Sequence, residues 1–211
     1  MNIPNITLML LRIPGLLFAM AIHEASHGYV SYLQGDDTPK KQGRLTLNPI
    51  VHIDIIGMIS LMLLGFGWAK PVMTDPRNYK NPKLGMGLTA LAGPLANIFG
   101  ALLLAILLKV NYKYNFIQNQ YLNLIIEQAL QLNIFFAIFN MLPIPPLDGS
   151  KVLFIFLPAS YMNFVYRYEM IGQILLIACL FLAPYLLSYI LTPGYLIVSH
   201  IINSILGILP F

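Results

Sequence analysis

Hydrophobic positions fill this chain in long runs, and the polar residues collect in the gaps between them. Residues 6–33 form the first run, broken only by Arg12, Pro14-Gly15 and a polar motif at 23–27. A bilayer core about 30 Å thick needs ~20 apolar residues in a helix, so this run predicts a membrane crossing. Pro14 is expected to kink that helix, because apolar residues continue on both sides. Residues 84–108 and 121–139 predict two more crossings, and 168–190 a fourth with a kink at Pro184. The segment 195–211 is marginal in length for a full span. The segment 51–67 is short, and ends in Gly65-Phe66-Gly67. Between the runs, Gly43-Arg44-Leu45-Thr46-Leu47 and Trp68-Ala69-Lys70-Pro71-Val72 each predict a short strand, the second at the membrane interface with Trp68 as its anchor.

The fold class follows: an all-α polytopic membrane protein of about five to six membrane segments, with a short interfacial β element and a re-entrant segment around 51–67. Composition agrees. With 58% hydrophobic and 9% charged residues and a mean hydropathy of +0.73, the chain has too little polar surface to coat a soluble globule. The pattern is read as one membrane-embedded domain over 1–211, with a core at about 6–157 and C-terminal membrane segments at about 168–211. Arg12 follows mostly apolar residues, the reverse of a signal peptide's order, so the first helix is expected to be retained. Lone Cys179 lies in an apolar run and has no internal partner for a disulfide.

The net charge of +4 sits largely in two loops, with Lys40, Lys41 and Arg44 in one and Lys70, Arg77, Lys80 and Lys83 in the other. This speaks of topology and anionic lipid, not of nucleic acid, since aromatic-interleaved basic patches are absent. The positive-inside rule places both loops in the cytoplasm, which makes 51–67 dip into the membrane and return.

Chemistry enters with His23-Glu24-Ala25-Ser26-His27. On a helix, H-E-x-x-H sets two imidazoles one turn apart on one face, able to reach a single Zn²⁺, with the glutamate beside it as a general base. Ionisable groups at bilayer depth are costly, so a functional reading outweighs a snorkelling helix end. A catalytic zinc needs a third protein ligand and an open position. Asp148 is the leading candidate, because Pro143, Pro145, Pro146 and Gly149 break the helix around it and let its carboxylate turn inward. Helix capping is the plain alternative for Asp148. His52 and Asp54 are weaker candidates, for which capping and local hydrogen bonds are preferred. Topology favours Asp148: if 51–67 is re-entrant, residues 121–148 return to the face where the histidines lie. Asn97, in the repeat Gly93, Asn97 and Ala101, reads equally as a helix-packing amide or as a group behind the site or on a substrate carbonyl.

The chain at this point resembles a known family. His23-Glu24-x-x-His27, Ala92-Gly93-Pro94-Leu95-Ala96-Asn97 and Asn140-x-x-Pro143-x-x-Pro146-Leu147-Asp148-Gly149 together are similar to the site-2 proteases, intramembrane zinc metalloproteases of peptidase family M50. Residues 43–49, 52–54 and 67–72 look like its compact prokaryotic subgroup, and there is room for neither a PDZ domain nor a pair of CBS domains. The resemblance implies one Zn²⁺ held by His23, His27 and Asp148, with Glu24 as acid/base. It makes Asn140 a plausible donor to the developing oxyanion. It also implies substrates that are transmembrane segments of other proteins, in a prokaryotic plasma membrane, with the site toward the cytoplasm. A substrate helix must unwind before cleavage, and an exposed edge at 43–47 or 68–72 could hold it by strand addition. Two other classes compete: a membrane metal carrier and an inactive homologue that binds membrane partners. An acid between the two histidines serves no purpose in a carrier, and the intact Glu24, His23, His27 and Asp148 argue against inactivity.

Overall fold

The computed structural model describes residues 5–64, 68–158 and 160–208. The helices are α1 (Asn5–Leu33), α2 (Thr38–Lys41), α3 (Ile55–Leu64), α4 (Pro82–Tyr114), α5 (Gln120–Asn140), α6 (Asp148–Leu153), α7 (Ser160–Leu182) and α8 (Pro184–Ile208). Five of them are long and apolar enough to cross a membrane: α1 from Met9, α4, α5, α7, and α8 from Tyr185. The protein is thus an all-α, multi-pass membrane protein in a lipid environment.

α1, α4 and α5 pack on one another as a three-helix core. Small residues permit the close approach. A Cβ on Gly15 of α1 would lie 2.8 Å from the Ala129 backbone of α5, and Gly100 of α4 would meet Ile22 of α1 at 2.6 Å. Pro14 and Pro94 remain inside their helices, the first as the sequence predicts. Ala101 and Ala105 of α4, Ile134 of α5 and Ile202 of α8 form a shared apolar cluster, which attaches α8 to the core.

The re-entrant segment has a direct signature. The Lys70 amide donates to the His52 carbonyl at 2.9 Å, and Ile53 pairs with Ala69 in an antiparallel bridge. The two ends of the segment therefore lie side by side. α3, at ten residues and about 15 Å, covers half of a bilayer core. Gly57 faces the Trp68 backbone so closely that a Cβ would sit 2.2 Å from its carbonyl oxygen. Gly65-Phe66-Gly67 lies outside the described residues.

Three expectations need correction. The β element is a single bridge among the described residues, and Gly43–Leu47 forms a turn and bend with Gly43 at φ +67. There the Arg44 amide returns to Pro39 and the Arg44 guanidinium to the Val51 carbonyl, so its hydrogen bonds are local. Pro184 does not kink a helix; it opens α8, where its missing N–H costs nothing in the first turn. The last helix is therefore 25 residues long, and α7 begins at Ser160.

Candidate metal centre

His23 and His27 lie one turn apart on α1, their rings edge to face with centroids 4.6 Å apart. Across from them, the three-proline loop 143–146 after α5 delivers Asp148 as the first residue of α6. Asp148 does not cap that helix: Leu147 is the capping residue, and Gly149 is pressed against the Met141 carbonyl, with no room for a side chain. Its Oδ2 instead lies 3.1 Å from His23 Nε2 and 3.3 Å from His27 Nε2. His23 and Asp148 are buried and His27 is half-buried.

The far side of each ring is also held. His23 Nδ1 lies 2.6 Å from Asn97 Oδ1, and His27 Nδ1 lies 2.6 Å from the Thr89 carbonyl, both on α4. A carbonyl can only accept, so each Nδ1 carries a hydrogen, which leaves each Nε2 as the ring nitrogen facing Asp148. Asp148 Oδ2 is itself buried and, beyond the two imidazoles, meets no hydrogen-bond donor among the described residues. Three potential ligand atoms thus lie within 4.8 Å of one another, a grouping that could hold a metal ion. The donor set fits zinc: two imidazoles and one carboxylate.

α4 passes close because of Gly93. A Cβ there would stand 2.5 Å from His27 Nε2 and 2.7 Å from His23 Cε1. Glu24 is half-buried, and its Oε2 accepts the Val72 backbone amide at 2.9 Å. Asn140 ends α5 and donates one amide proton to the Phe136 carbonyl at 3.0 Å, with no partner for the second among the described residues. His52 is buried and bonds the Thr46 carbonyl through Nε2, while Asp54 caps α3 by accepting from the Gly57 amide at 2.8 Å. Neither joins the trio. Asn97 stands behind His23 and also joins α4 to α1 and α5 through the Ala19 carbonyl and Asn133, so it is a packing amide as well.

Some supporting groups are absent from the sequence reading. Thr89 acts through its backbone carbonyl, which leaves no residue-type signal. Asn133 is an amide inside a membrane helix, a signal that was there to be read. Asp36 is buried beyond the end of α1 and gathers Ser31 Oγ, the Thr38 amide and hydroxyl, the Asp75 amide and Asn78 Nδ2. Burial alone would raise its pKa, but the Thr38 hydroxyl, the Asp75 amide and Asn78 outweigh it and hold the carboxyl well below the usual range.

A helical membrane bundle with a His-His-Asp cluster between its first span and the start of α6 defines the class: a membrane protein with a candidate metal centre. Comparison with known proteins is specific. The model of Peptidase family M50 matches residues 110–183. The chain is 38% identical over 182 residues to "Putative zinc metalloprotease YwhC" of Bacillus subtilis, covering 84% of this chain and 82% of that protein. It is 37% identical over 100 residues to "Putative zinc metalloprotease MJ0611" of Methanocaldococcus jannaschii, covering 47% of this chain and 49% of that one. No solved structure matches significantly. The chain belongs to peptidase family M50, the site-2 proteases, and is a zinc metalloprotease.

Proposed function

We propose that this protein cleaves peptide bonds within or next to transmembrane segments of other membrane proteins. The observation that carries the reading is depth. His23 lies ten residues before the end of α1 and His27 six, so about 15 Å and 9 Å along a helix that spans the bilayer. A scissile bond must come to that depth, and membrane-spanning substrates bring it there. His23, His27 and Asp148 would hold the zinc. Zinc supplies Lewis acidity, lowering the pKa of a water and polarising a carbonyl oxygen.

Glu24 follows His23 in the same turn and is the general base. It takes the water's proton and returns it to the leaving amine. The Val72 amide orients its carboxylate by holding Oε2, leaving the other oxygen for the proton. Asn140 offers its second amide proton to the developing oxyanion. The basic loops around α2 and before α4 face the cytoplasm, which puts the site near that side of a prokaryotic plasma membrane. Residues 1–211 act as one membrane-embedded unit.

The test is Glu24→Gln in detergent-purified protein and in cells. The variant should fold and keep zinc, while turnover of a model transmembrane substrate falls by about 10²–10⁴-fold. Near-normal cleavage at normal zinc content would sink the mechanism. His23→Ala, His27→Ala or Asp148→Ala should each remove most of the zinc. Full zinc in Asp148→Ala would remove Asp148 from the ligand set.

A further inference from the structure

A buried chain of amides stands behind His23. Asn133 of α5, Asn97 of α4 and His23 of α1 have relative exposures of 0%, 0% and 5%. Asn133 Nδ2 donates to the Ala129 carbonyl one turn earlier at 2.7 Å, which turns its Oδ1 outward. That oxygen accepts from Asn97 Nδ2 at 3.0 Å, and the second proton of Asn97 Nδ2 goes to the Ala19 carbonyl at 2.8 Å. The oxygen of Asn97 is left facing His23 Nδ1 at 2.6 Å. Gly100 keeps the junction open, since a Cβ there would stand 3.1 Å from Asn133 Oδ1.

We propose that Asn133 is a positioning residue for the metal centre: it locks the Asn97 amide in the one orientation that leaves the His23 lone pair on Nε2. The inference rests on the ligand set proposed above. A side-chain amide has nearly the same shape either way round, so its partners decide which end is which. A flipped Asn97 would set its oxygen against two other oxygens, of Ala19 and Asn133. It would also present N–H groups to His23 Nδ1, drawing the imidazole hydrogen to Nε2 and removing a metal ligand. His27 needs no such device, because its acceptor is the Thr89 backbone carbonyl, which cannot turn over. The two histidines are therefore held by different means, and only His23 depends on a relay through two other helices.

A buried asparagine pair can also serve only to hold helices together, and the experiment separates the two roles. Zinc affinity is measured by chelator competition in Asn133→Leu and Asn133→Asp, with thermal stability and the absorption spectrum of the cobalt-substituted protein alongside. Asn133→Asp keeps an acceptor toward Asn97 but loses the bond to Ala129 and buries a carboxyl group, so it is the less stable variant. The relay predicts the opposite order for metal. Asn133→Leu binds zinc about 10–100-fold more weakly with an altered cobalt spectrum, while Asn133→Asp stays within about threefold of wild type. Affinities that simply follow stability, or a folded Asn133→Leu with wild-type affinity and spectrum, overturn the relay.

Should both variants fail to fold, ¹⁵N-histidine NMR of the zinc-loaded wild type decides. His23 should hold its proton on Nδ1 and bind metal through Nε2; metal at Nδ1 overturns the proposal. Retention of full zinc by His23→Ala is a different failure, one that removes the ligand set itself. Loss of zinc in His23→Ala with wild-type affinity in folded Asn133→Leu defeats the relay alone.

Discussion

The Val72 backbone amide donates to Glu24 Oε2 at 2.9 Å, joining the loop after the re-entrant segment to the acid of the H-E-x-x-H motif. The loop is pinned on both sides of this contact. Lys70 bonds the His52 carbonyl on one side, and the Asp75 amide and Asn78 side chain bond Asp36 on the other. Val72 is thus placed on Glu24 by two anchors, neither of which belongs to the metal centre.

Val72→Pro deletes this N–H, and Val72→Ala serves as the control for the lost side chain. A hydrogen bond to a charged group contributes about 1.5–3 kcal/mol. Turnover should therefore fall roughly 10- to 100-fold at unchanged zinc content. Val72→Ala keeps the amide and should remain near wild type. Proline activity equal to that of alanine would show that the contact does not orient Glu24.

Gly93→Ala should damage the metal centre without damaging the helix. Alanine favours a helix interior by roughly 1 kcal/mol over glycine, yet its Cβ would lie 2.5 Å from His27 Nε2. Zinc affinity is expected to fall at least tenfold, by analogy with lost support of a ligand. Helical content by circular dichroism should be unchanged. Wild-type zinc binding in this variant would mean that the imidazoles can move aside freely.

Asp36 makes stability depend on acid pH. Its folded pKa is depressed, so its contribution is complete above the unfolded value of about 3.9 and is lost as pH falls through the folded one. Thermal stability in detergent should hold near neutrality and drop below about pH 4. Asp36→Asn should be less stable at pH 7 and show a flatter acid limb. A parallel acid limb in wild type and variant would assign the effect to other carboxyls.

Single cysteines in a Cys179→Ser background test the orientation. Positions 42 and 80 flank the re-entrant segment, and 115 lies in the α4–α5 connection; all three are exposed. Impermeant reagents should modify 42 and 80 from the cytoplasmic side and 115 from the other. Opposite-side modification of 42 and 80 would contradict the side-by-side ends of 51–67.

The apolar runs alone determined the class of this protein, because bilayer thickness converts length and hydropathy directly into spanning helices. The motif at 23–27 likewise placed two imidazoles one turn apart with an acid beside them, since the helical repeat fixes which side chains share a face. Proline was ambiguous: Pro14, Pro94 and Pro193 sit inside helices while Pro184 begins one, and local sequence does not distinguish these cases. The support of the site was decided by tertiary structure. Asn97 reaches His23 across 74 residues, the Thr89 carbonyl reaches His27 across 62, and the Val72 amide reaches Glu24 across 48. Two of these three partners are backbone groups, which every residue carries, so no residue type announces them. Only the packing of α4 and the re-entrant loop against α1 selects which carbonyl and which amide arrive there.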